Sequence, residues 1–131
     1  MKTNPEDVPI GIELHRQSAT LELRYRNDTV HVLSAEYLRV NSPSAEVRGH
    51  GTNQAVLQTG KLLVRITGIK PVGNYAIQLV FDDGHDTGLY AWGYLKELGE
   101  NRDRIWEDYL SHLRDAGATR DPDAQVIRLG N

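Results

Sequence analysis

The chain has 131 residues, a length that fits one domain, and it contains no cysteine. The absence of thiols excludes disulfides, thiolate metal ligands, iron–sulfur ligation by its own residues and cysteine nucleophiles. With 15 Lys and Arg against 18 Asp and Glu, the formal net charge of -3 gives no long-range attraction for phosphate backbones, so we expect no nucleic-acid partner.

The first segment, residues 1–9, is polar and carries two prolines, which predicts a flexible N-terminus. It lacks the apolar core of a signal peptide, and no run in the chain approaches the ~18 apolar residues that a membrane-spanning helix needs. We therefore expect a cytoplasmic protein with no membrane partner.

Alternation of apolar and polar residues predicts the first strands. One strand contains Ile10, Ile12 and Leu14. The clearest strand covers residues 20–26 and places Leu21, Leu23 and Tyr25 on one face. The pair Asn27-Asp28 is typical of a turn, so residues 30–33 should return as the hairpin partner. Ser34 is then the predicted N-cap of a short helix through Arg39.

A loop and a second hairpin follow. Residues 41–53 contain Pro43 and two glycines without periodicity, which predicts a loop. We predict a short turn or strand at 55–57, and a strand over 62–69 with Leu62, Val64 and Ile66 together. The segment 71–81 completes the hairpin. Its inward face should hold Tyr75, Ile77, Leu79 and Phe81, and the following Asp83-Gly84 supplies the positive φ of a tight bend.

Two helices are predicted in the last third of the chain. Apolar residues spaced by three predict the first, which Gly99 should terminate, and they are Leu89, Trp92, Leu95 and Leu98. The second should begin after Asn101 as its N-cap, with an ion pair between Arg104 and Asp108. Its apolar line consists of Ile105, Tyr109 and Leu113.

These elements predict an α+β fold, in which a mostly antiparallel β-sheet built from hairpins is packed by two C-terminal helices and one short helix. Residues 10–115 should form the single domain. Residues 116–131 are predicted to be a mobile tail that docks through Val126 and Ile127.

Two groups of residues could carry chemistry. Asp82, Asp83, His85 and Asp86 place three carboxylates and an imidazole at one bend, which suits a metal half-site or a general base. The alternative, which we favour, is that the aspartates shape the bend and His85 bonds to the loop backbone. Arg39 and Arg48 could clamp a carboxylate or a phosphate, or could pair with Glu36 or Glu46.

The segments 71–94 and 42–51 resemble the N-terminal domain family of gamma-butyrobetaine hydroxylase, and the resemblance covers about residues 8–98. The sequence of the 42–51 loop resembles that of a bacterial, single-domain branch of this family. It reads Ser-Pro-Ser-Ala-Glu-Val-Arg-Gly-His-Gly. In the hydroxylases three cysteines and one histidine hold a structural zinc, and the matching positions are Ser42, Ser44, Val47 and His85. Serine is a poor zinc ligand and valine is none, so we expect no metal at these positions and no cofactor.

The resemblance also implies that the loop approaches His85. Family members attached to oxygenases or to P-loop iron–sulfur carriers owe their activity to those other domains. This chain has neither a His-x-Asp facial triad nor a Gly-Lys-Ser/Thr motif, so the resemblance implies no enzymatic activity for it.

The predicted function is therefore a small non-catalytic protein-binding or adaptor module, accessory to iron–sulfur or cofactor metabolism, with another protein as partner. The oligomeric state is left open. Its surface should combine the 39–51 loop with the 82–90 bend. The candidate binding residues are Arg39, Ser42, Ser44, Glu46, Arg48, His50, Asp83, His85 and Tyr90. The alternatives are a metal-dependent hydrolytic enzyme using His50, Asp83 and His85, and an anionic-ligand binder using Arg39 and Arg48.

Overall fold

A computed structural model describes residues 4–48 and 55–123. Within these ranges it has two three-stranded antiparallel sheets and four α-helices, which confirms the α+β fold. A 3-10 turn at Pro5–Asp7 precedes them. The elements are β1 (Gly11–His15), β2 (Thr20–Arg24), β3 (Val30–Ser34), α1 (Ala35–Val40), α2 (Ala45–Arg48), β4 (Ile66–Val72), β5 (Ala76–Phe81), β6 (Leu89–Ala91), α3 (Trp92–Glu100) and α4 (Arg102–Ala116).

The first sheet is a meander in which β2 lies between β1 and β3. Leu21 pairs with Leu14 on one side and Leu33 on the other, so apolar side chains meet on the core face of three neighbouring strands. The turn before β3 places Asp28 in the left-handed region at φ 65°. The predicted hairpin is confirmed, although β2 ends at Arg24.

Helix α1 follows β3 directly. The Ser34 hydroxyl accepts a hydrogen bond from the Tyr37 amide at 3.0 Å, which confirms the predicted N-cap. Every residue of α1 is buried, including Glu36 and Arg39. Glu36 receives two hydrogen bonds from Arg120, at 2.6 and 2.7 Å, because a buried carboxylate needs a charged partner.

The second sheet differs from the prediction at both of its ends. Strand β4 begins at Ile66 rather than at residue 62, and Leu62 is exposed, while residues 55–57 form neither a turn nor a strand. Tyr75 lies before β5 and is exposed, so it does not share the buried face of Ile77. Strand β6 was missed: Tyr90 pairs with Ile77, where the sequence analysis expected the start of a helix. Three residues are too few to show an alternating pattern.

The two C-terminal helices are confirmed with corrected ends. Helix α3 begins at Trp92, and it continues through Gly99 to Glu100 instead of ending at the glycine. Gly99 has a packing role, because a Cβ there would overlap the His31 ring. Helix α4 begins after Asn101 as predicted, but the Asn101 side chain makes no cap bond. Arg104 and Asp108 form the predicted pair, with 3.7 Å between Nη1 and Oδ2.

The main core fills the space between the two sheets, α1 and α3, and α4 closes a smaller cluster made of Val40, Tyr109 and Leu113. The segment after α4, assigned above to the tail, makes backbone hydrogen bonds: Gly60 N to Thr119 O at 2.9 Å and Leu62 N to Arg120 O at 3.0 Å. The domain boundary stays a prediction, and the predicted docking residues 126 and 127 lie outside the described residues. No helix in the described ranges has the length and apolar character to cross a membrane.

Tyrosine hydroxyls connect the elements by donating to backbone carbonyls. Tyr37 donates to Leu98 O at 2.6 Å and so joins α1 to α3, and Tyr90 donates to Leu38 O at 2.5 Å. Tyr94 and Tyr109 likewise hold the carbonyls of Asn41 and Gln58. Leu38 and Leu98 lie in helices, whereas Asn41 and Gln58 lie in loops, so these bonds join the helices to each other and hold loop positions that the sheets do not reach.

Tyr25 is the exception among the buried tyrosines of the described residues, and it gives a testable contrast. Its hydroxyl is buried without a hydrogen-bond partner among the described residues, and burial together with the charges of Glu100 and Asp7 raises its pKa to about 12. We expect Tyr25→Phe to leave the free energy of unfolding unchanged or to raise it by about 1 kcal/mol, because an unsatisfied polar group is removed. Tyr90→Phe should lower it by about 1–3 kcal/mol. Denaturant unfolding of both variants measures the difference, and an equal loss in both would contradict the prediction.

Candidate functional site

His85 lies in the bend that follows β5. Gly84 adopts a φ of 89°, and the amide of Phe81 donates to the His85 carbonyl at 2.9 Å, which closes the reversal. The imidazole turns inward, with 3% of the side chain exposed, and lies against the Phe81 ring with 6.0 Å between ring centroids. The bend therefore places the His85 side chain in the protein interior.

The serine loop meets His85 there, as the resemblance implied. Ser42 and Ser44 follow α1 and are both buried. The Ser42 Oγ lies 2.7 Å from His85 Nε2, and the Ser44 Oγ lies 3.4 Å from the same atom. Gly88 permits this approach, because a Cβ at that position would overlap the Ser42 hydroxyl. The two segments enclose one buried polar cluster.

The second ring nitrogen of His85 is also engaged. Its Nδ1 lies 3.3 Å from Glu46 Oε2, and Thr87 donates to the other oxygen of Glu46 at 3.2 Å. Burial, helped by the positive charge of Arg39, lowers the pKa of His85 and favours the neutral ring. The network then assigns the hydrogen to Nδ1, which donates to Glu46, while Nε2 accepts from the Ser42 hydroxyl.

Asp83 forms ion pairs with two basic side chains next to this cluster. Its Oδ2 accepts hydrogen bonds from Arg39 Nε at 2.9 Å and Lys61 Nζ at 2.7 Å, and its Oδ1 accepts from the His85 amide at 3.2 Å. Partial burial alone would raise the pKa of this carboxyl. The bonds from Lys61, the His85 amide and Arg39 outweigh burial and lower the pKa to about 2.

The two arginines of the predicted anion clamp do not act together. Arg39 is buried and is bonded to Asp83 and to the Gln58 side chain at 3.1 Å, rather than to Glu36. Arg48 is exposed, lies 5.3 Å from the centre of the Tyr94 ring and contacts the Tyr94 hydroxyl. Because Arg39 is already paired with Asp83, Arg48 is the one member of the predicted clamp that is not bonded to a carboxylate among the described residues, and its guanidinium contacts Tyr94.

The remaining candidate residues divide between the interior and the surface. Tyr90 is fully buried, so its side chain is not at the surface. Glu46 and Arg48 are exposed on α2, which replaces part of the predicted 41–53 loop. Four alternating residues are too few to predict such a helix. His50 lies outside the described residues.

Metal-binding potential appears at a place that the sequence analysis missed. In the described part of the chain, one group of three side chains could converge on an ion, and it consists of Glu13, His15 and Glu22 on the first sheet. His85 does not belong to such a group. Part of the signal was present in the sequence, because alternation within β1 places Glu13 and His15 on one face. The register of the hairpin, which brings Glu22 opposite Glu13, is known from the structure.

The fold and the site define a class of protein, namely a small α+β domain with a buried Ser–His cluster and an exposed short helix beside it. The chain matches the family model described as gamma-butyrobetaine hydroxylase-like, N-terminal, over residues 12–96, which is more than half of its length. It therefore belongs to this family. Among curated proteins, none is similar enough to match.

Solved structures with the same fold agree with this assignment. The chain is similar to one NMR solution structure at 54% identity, covering 93% of this chain and 96% of that chain with a TM-score of 0.79. A second NMR structure has 48% identity, complete coverage of both chains and a TM-score of 0.75. A crystal structure from Acidithiobacillus ferrooxidans ATCC 23270 shows a protein of unknown function that belongs to the DUF971 family. It has 34% identity, covers 74% of this chain and 98% of that chain, and has a TM-score of 0.62.

Proposed function

We propose that this chain is a non-catalytic protein-binding module. The observation that carries the proposal is the state of His85, whose two ring nitrogens both face protein groups and whose side chain is 3% exposed. A general base or a metal ligand must present a free lone pair to its substrate or ion. Here the lone pair of Nε2 is used by a buried serine, so the cluster supports the fold.

The same reasoning applies to Asp83 in the hydrolytic alternative. Its carboxylate is neutralised by Arg39 and Lys61, and its lowered pKa makes it a weak base. An activated water would need a carboxylate with higher proton affinity. The geometry therefore favours binding over hydrolysis.

The docking surface in this proposal is the outer side of α2 together with residues 86–89 of the bend. Glu46 and Arg48 project from α2, and the bond from Thr87 to Glu46 joins the two parts. Leu89 adds an apolar side chain that is 46% exposed, and Asp86 adds a second carboxylate. A partner with basic and apolar side chains would complement this surface.

The wider role rests on family membership. We propose an accessory role in iron–sulfur or cofactor metabolism for a cytoplasmic protein, and the resemblance to modules that accompany catalytic domains supports it. The DUF971 relative is described as a protein of unknown function, so it adds the fold and no reaction.

The test compares the proteins captured from native cells by the wild type and by two double variants. Asp86→Lys with Leu89→Ser alters the proposed surface without touching the buried cluster. Asp103→Lys with Leu63→Ser makes the same changes at exposed positions elsewhere. We expect a partner to be retained by the wild type and the second variant and lost by the first, with equal melting temperatures. Identical partner lists for both variants would reject this surface.

A further inference from the structure

Three metal-ligating side chains share the solvent face of the first sheet. Glu13 lies directly opposite Glu22 across the β1–β2 ladder, and His15 is two residues after Glu13 in the same strand. Residues on the other face of these strands, such as Leu21 and Leu23, are completely buried. Strand pairing fixes the backbone positions that carry the three side chains, so their spacing is well defined.

The distances between ligand atoms suit an ion. His15 Nε2 lies 3.2 Å from Glu22 Oε1 and 3.8 Å from Glu13 Oε2. One ligand atom from each of the three residues lies within 4.8 Å of the others. Zinc bonds of about 2.0–2.1 Å in a tetrahedral arrangement require about 3.3 Å between neighbouring ligand atoms. The Nε2 atom already lies at the required separation from one carboxylate and close to it from the other. The contact with Glu22 is a hydrogen bond donated by Nε2, so an ion would take the place of that hydrogen, which moves to Nδ1 in the other neutral tautomer. Unlike His85, the His15 side chain is 39% exposed, so an ion can reach it.

Electrostatics favour a cation at this point. Two glutamates directly opposite each other on adjacent strands repel, and a positive charge between them relieves the repulsion. Arg24 contacts Glu22 through Oε2, the oxygen that does not face His15. Glu22 can thus keep Arg24 on one oxygen and give Oε1 to an ion.

The cluster is accessible from solvent. The exposed fractions of the side chains are 60% for Glu13, 39% for His15 and 14% for Glu22. Three protein ligands on one side leave the outer coordination positions for water, as in sites whose ion exchanges or binds a further ligand. An imidazole with two carboxylates is a nitrogen and oxygen set suited to zinc, nickel, cobalt or manganese.

We propose that Glu13 Oε2, His15 Nε2 and Glu22 Oε1 bind one divalent transition-metal ion on the outer face of the first sheet. This site is separate from the Ser42–His85 cluster and from the docking surface. It uses none of the positions that hold the zinc in the hydroxylases. With this site, a chain without cysteine binds a metal ion that can exchange with the solvent.

The test is a calorimetric titration of the complete chain with zinc ions alone, at neutral pH and moderate salt. We expect one zinc per chain in the wild type. His15→Gln and Glu13→Gln should each weaken binding at least about tenfold, because a three-ligand site loses one ligand. His112→Gln, which replaces an exposed histidine of α4, should bind as the wild type does. The imidazole NMR signals of His15 should shift on zinc addition.

Three results would overturn the proposal. One is the absence of saturable binding in the wild type with millimolar zinc. The others are unchanged binding in His15→Gln and loss of binding in His50→Gln alone, since each would locate the ion elsewhere. Glu13→Gln and His15→Gln replace exposed or half-exposed side chains on one sheet face, and a far-UV circular dichroism melt of every variant checks that it remains folded.

Discussion

Asp83→Asn is expected to lower the free energy of unfolding by about 2–4 kcal/mol at neutral pH. The substitution removes the counter-charge of a buried arginine, because the side chain of Arg39 is only 8% exposed, although Asp83 itself is partly exposed. The expected loss of stability is smaller than for a fully buried ion pair, because 23% of the Asp83 side chain is exposed and Lys61 is half-buried. Urea denaturation at pH 7 measures the change.

The pH dependence of this difference identifies its cause. The folded-state pKa of Asp83 is lowered to about 2, against about 3.9 for an unfolded chain. A carboxyl with a depressed folded-state pKa stabilises the protein above its unfolded-state value and loses that contribution on acidification. The difference in unfolding free energy between the wild type and Asp83→Asn should therefore be constant from pH 5 to 8 and shrink between about pH 4 and pH 2, as the Asp83 carboxylate of the wild type is protonated.

Asp86→Asn is the matched control, since it removes one negative charge from the same bend. Asp86 is exposed, and its backbone carbonyl, not its carboxylate, accepts the hydrogen bond from Gln78 at 2.6 Å. We expect a loss below about 0.5 kcal/mol in this variant. Equal losses in the two variants, or a pH-independent gap down to pH 2, would show that the Arg39–Asp83 pair does not stabilise the fold.

Local signals in the sequence were sufficient for most of the elements. Ser34 as N-cap and the alternation around Leu21 and Leu23 depend on neighbouring residues only, and both are confirmed. The predictions for strand β6 and for the end of α3 were wrong because tertiary contacts determine both. Leu89 begins a strand because β5 offers it a free edge, and Gly99 stays in its helix because His31 occupies the space beside it.

The site shows the same division. The approach of the serine loop to His85 was predicted through the resemblance, since serines replace residues that are bridged in the cysteine-bearing relatives. The partner of Arg39 was not predicted, because Asp83 is 44 residues away and the nearer Glu36 is paired with Arg120, 84 residues away. Charge pairing across such separations depends on packing, which single-sequence patterns do not contain.

Restoring the three thiols is expected to create a tight zinc site around His85. The variant carries Ser42→Cys, Ser44→Cys and Val47→Cys, the positions that by resemblance hold cysteine in the hydroxylases. Two of the present side chains already lie 2.7 and 3.4 Å from His85 Nε2, and Val47 is buried on α2. Thiolates and an imidazole are preferred zinc ligands, whereas hydroxyls are not. Binding should stabilise the fold by about 4 kcal/mol when free zinc exceeds Kd about a thousandfold.

A His15→Gln background separates this engineered site from the one proposed on the first sheet. In that background the serine-containing protein should unfold at the same denaturant concentration with and without zinc, and the triple-cysteine protein should unfold at a higher concentration with zinc under reducing conditions. Adding His85→Gln should abolish most of the zinc response, because one of four ligands is lost and the buried cluster can no longer close around the ion. A triple-cysteine protein whose unfolding ignores zinc would show that the loop and the bend, although in contact, do not hold tetrahedral geometry. The serines would then be part of a different packing arrangement and not simple replacements for metal ligands.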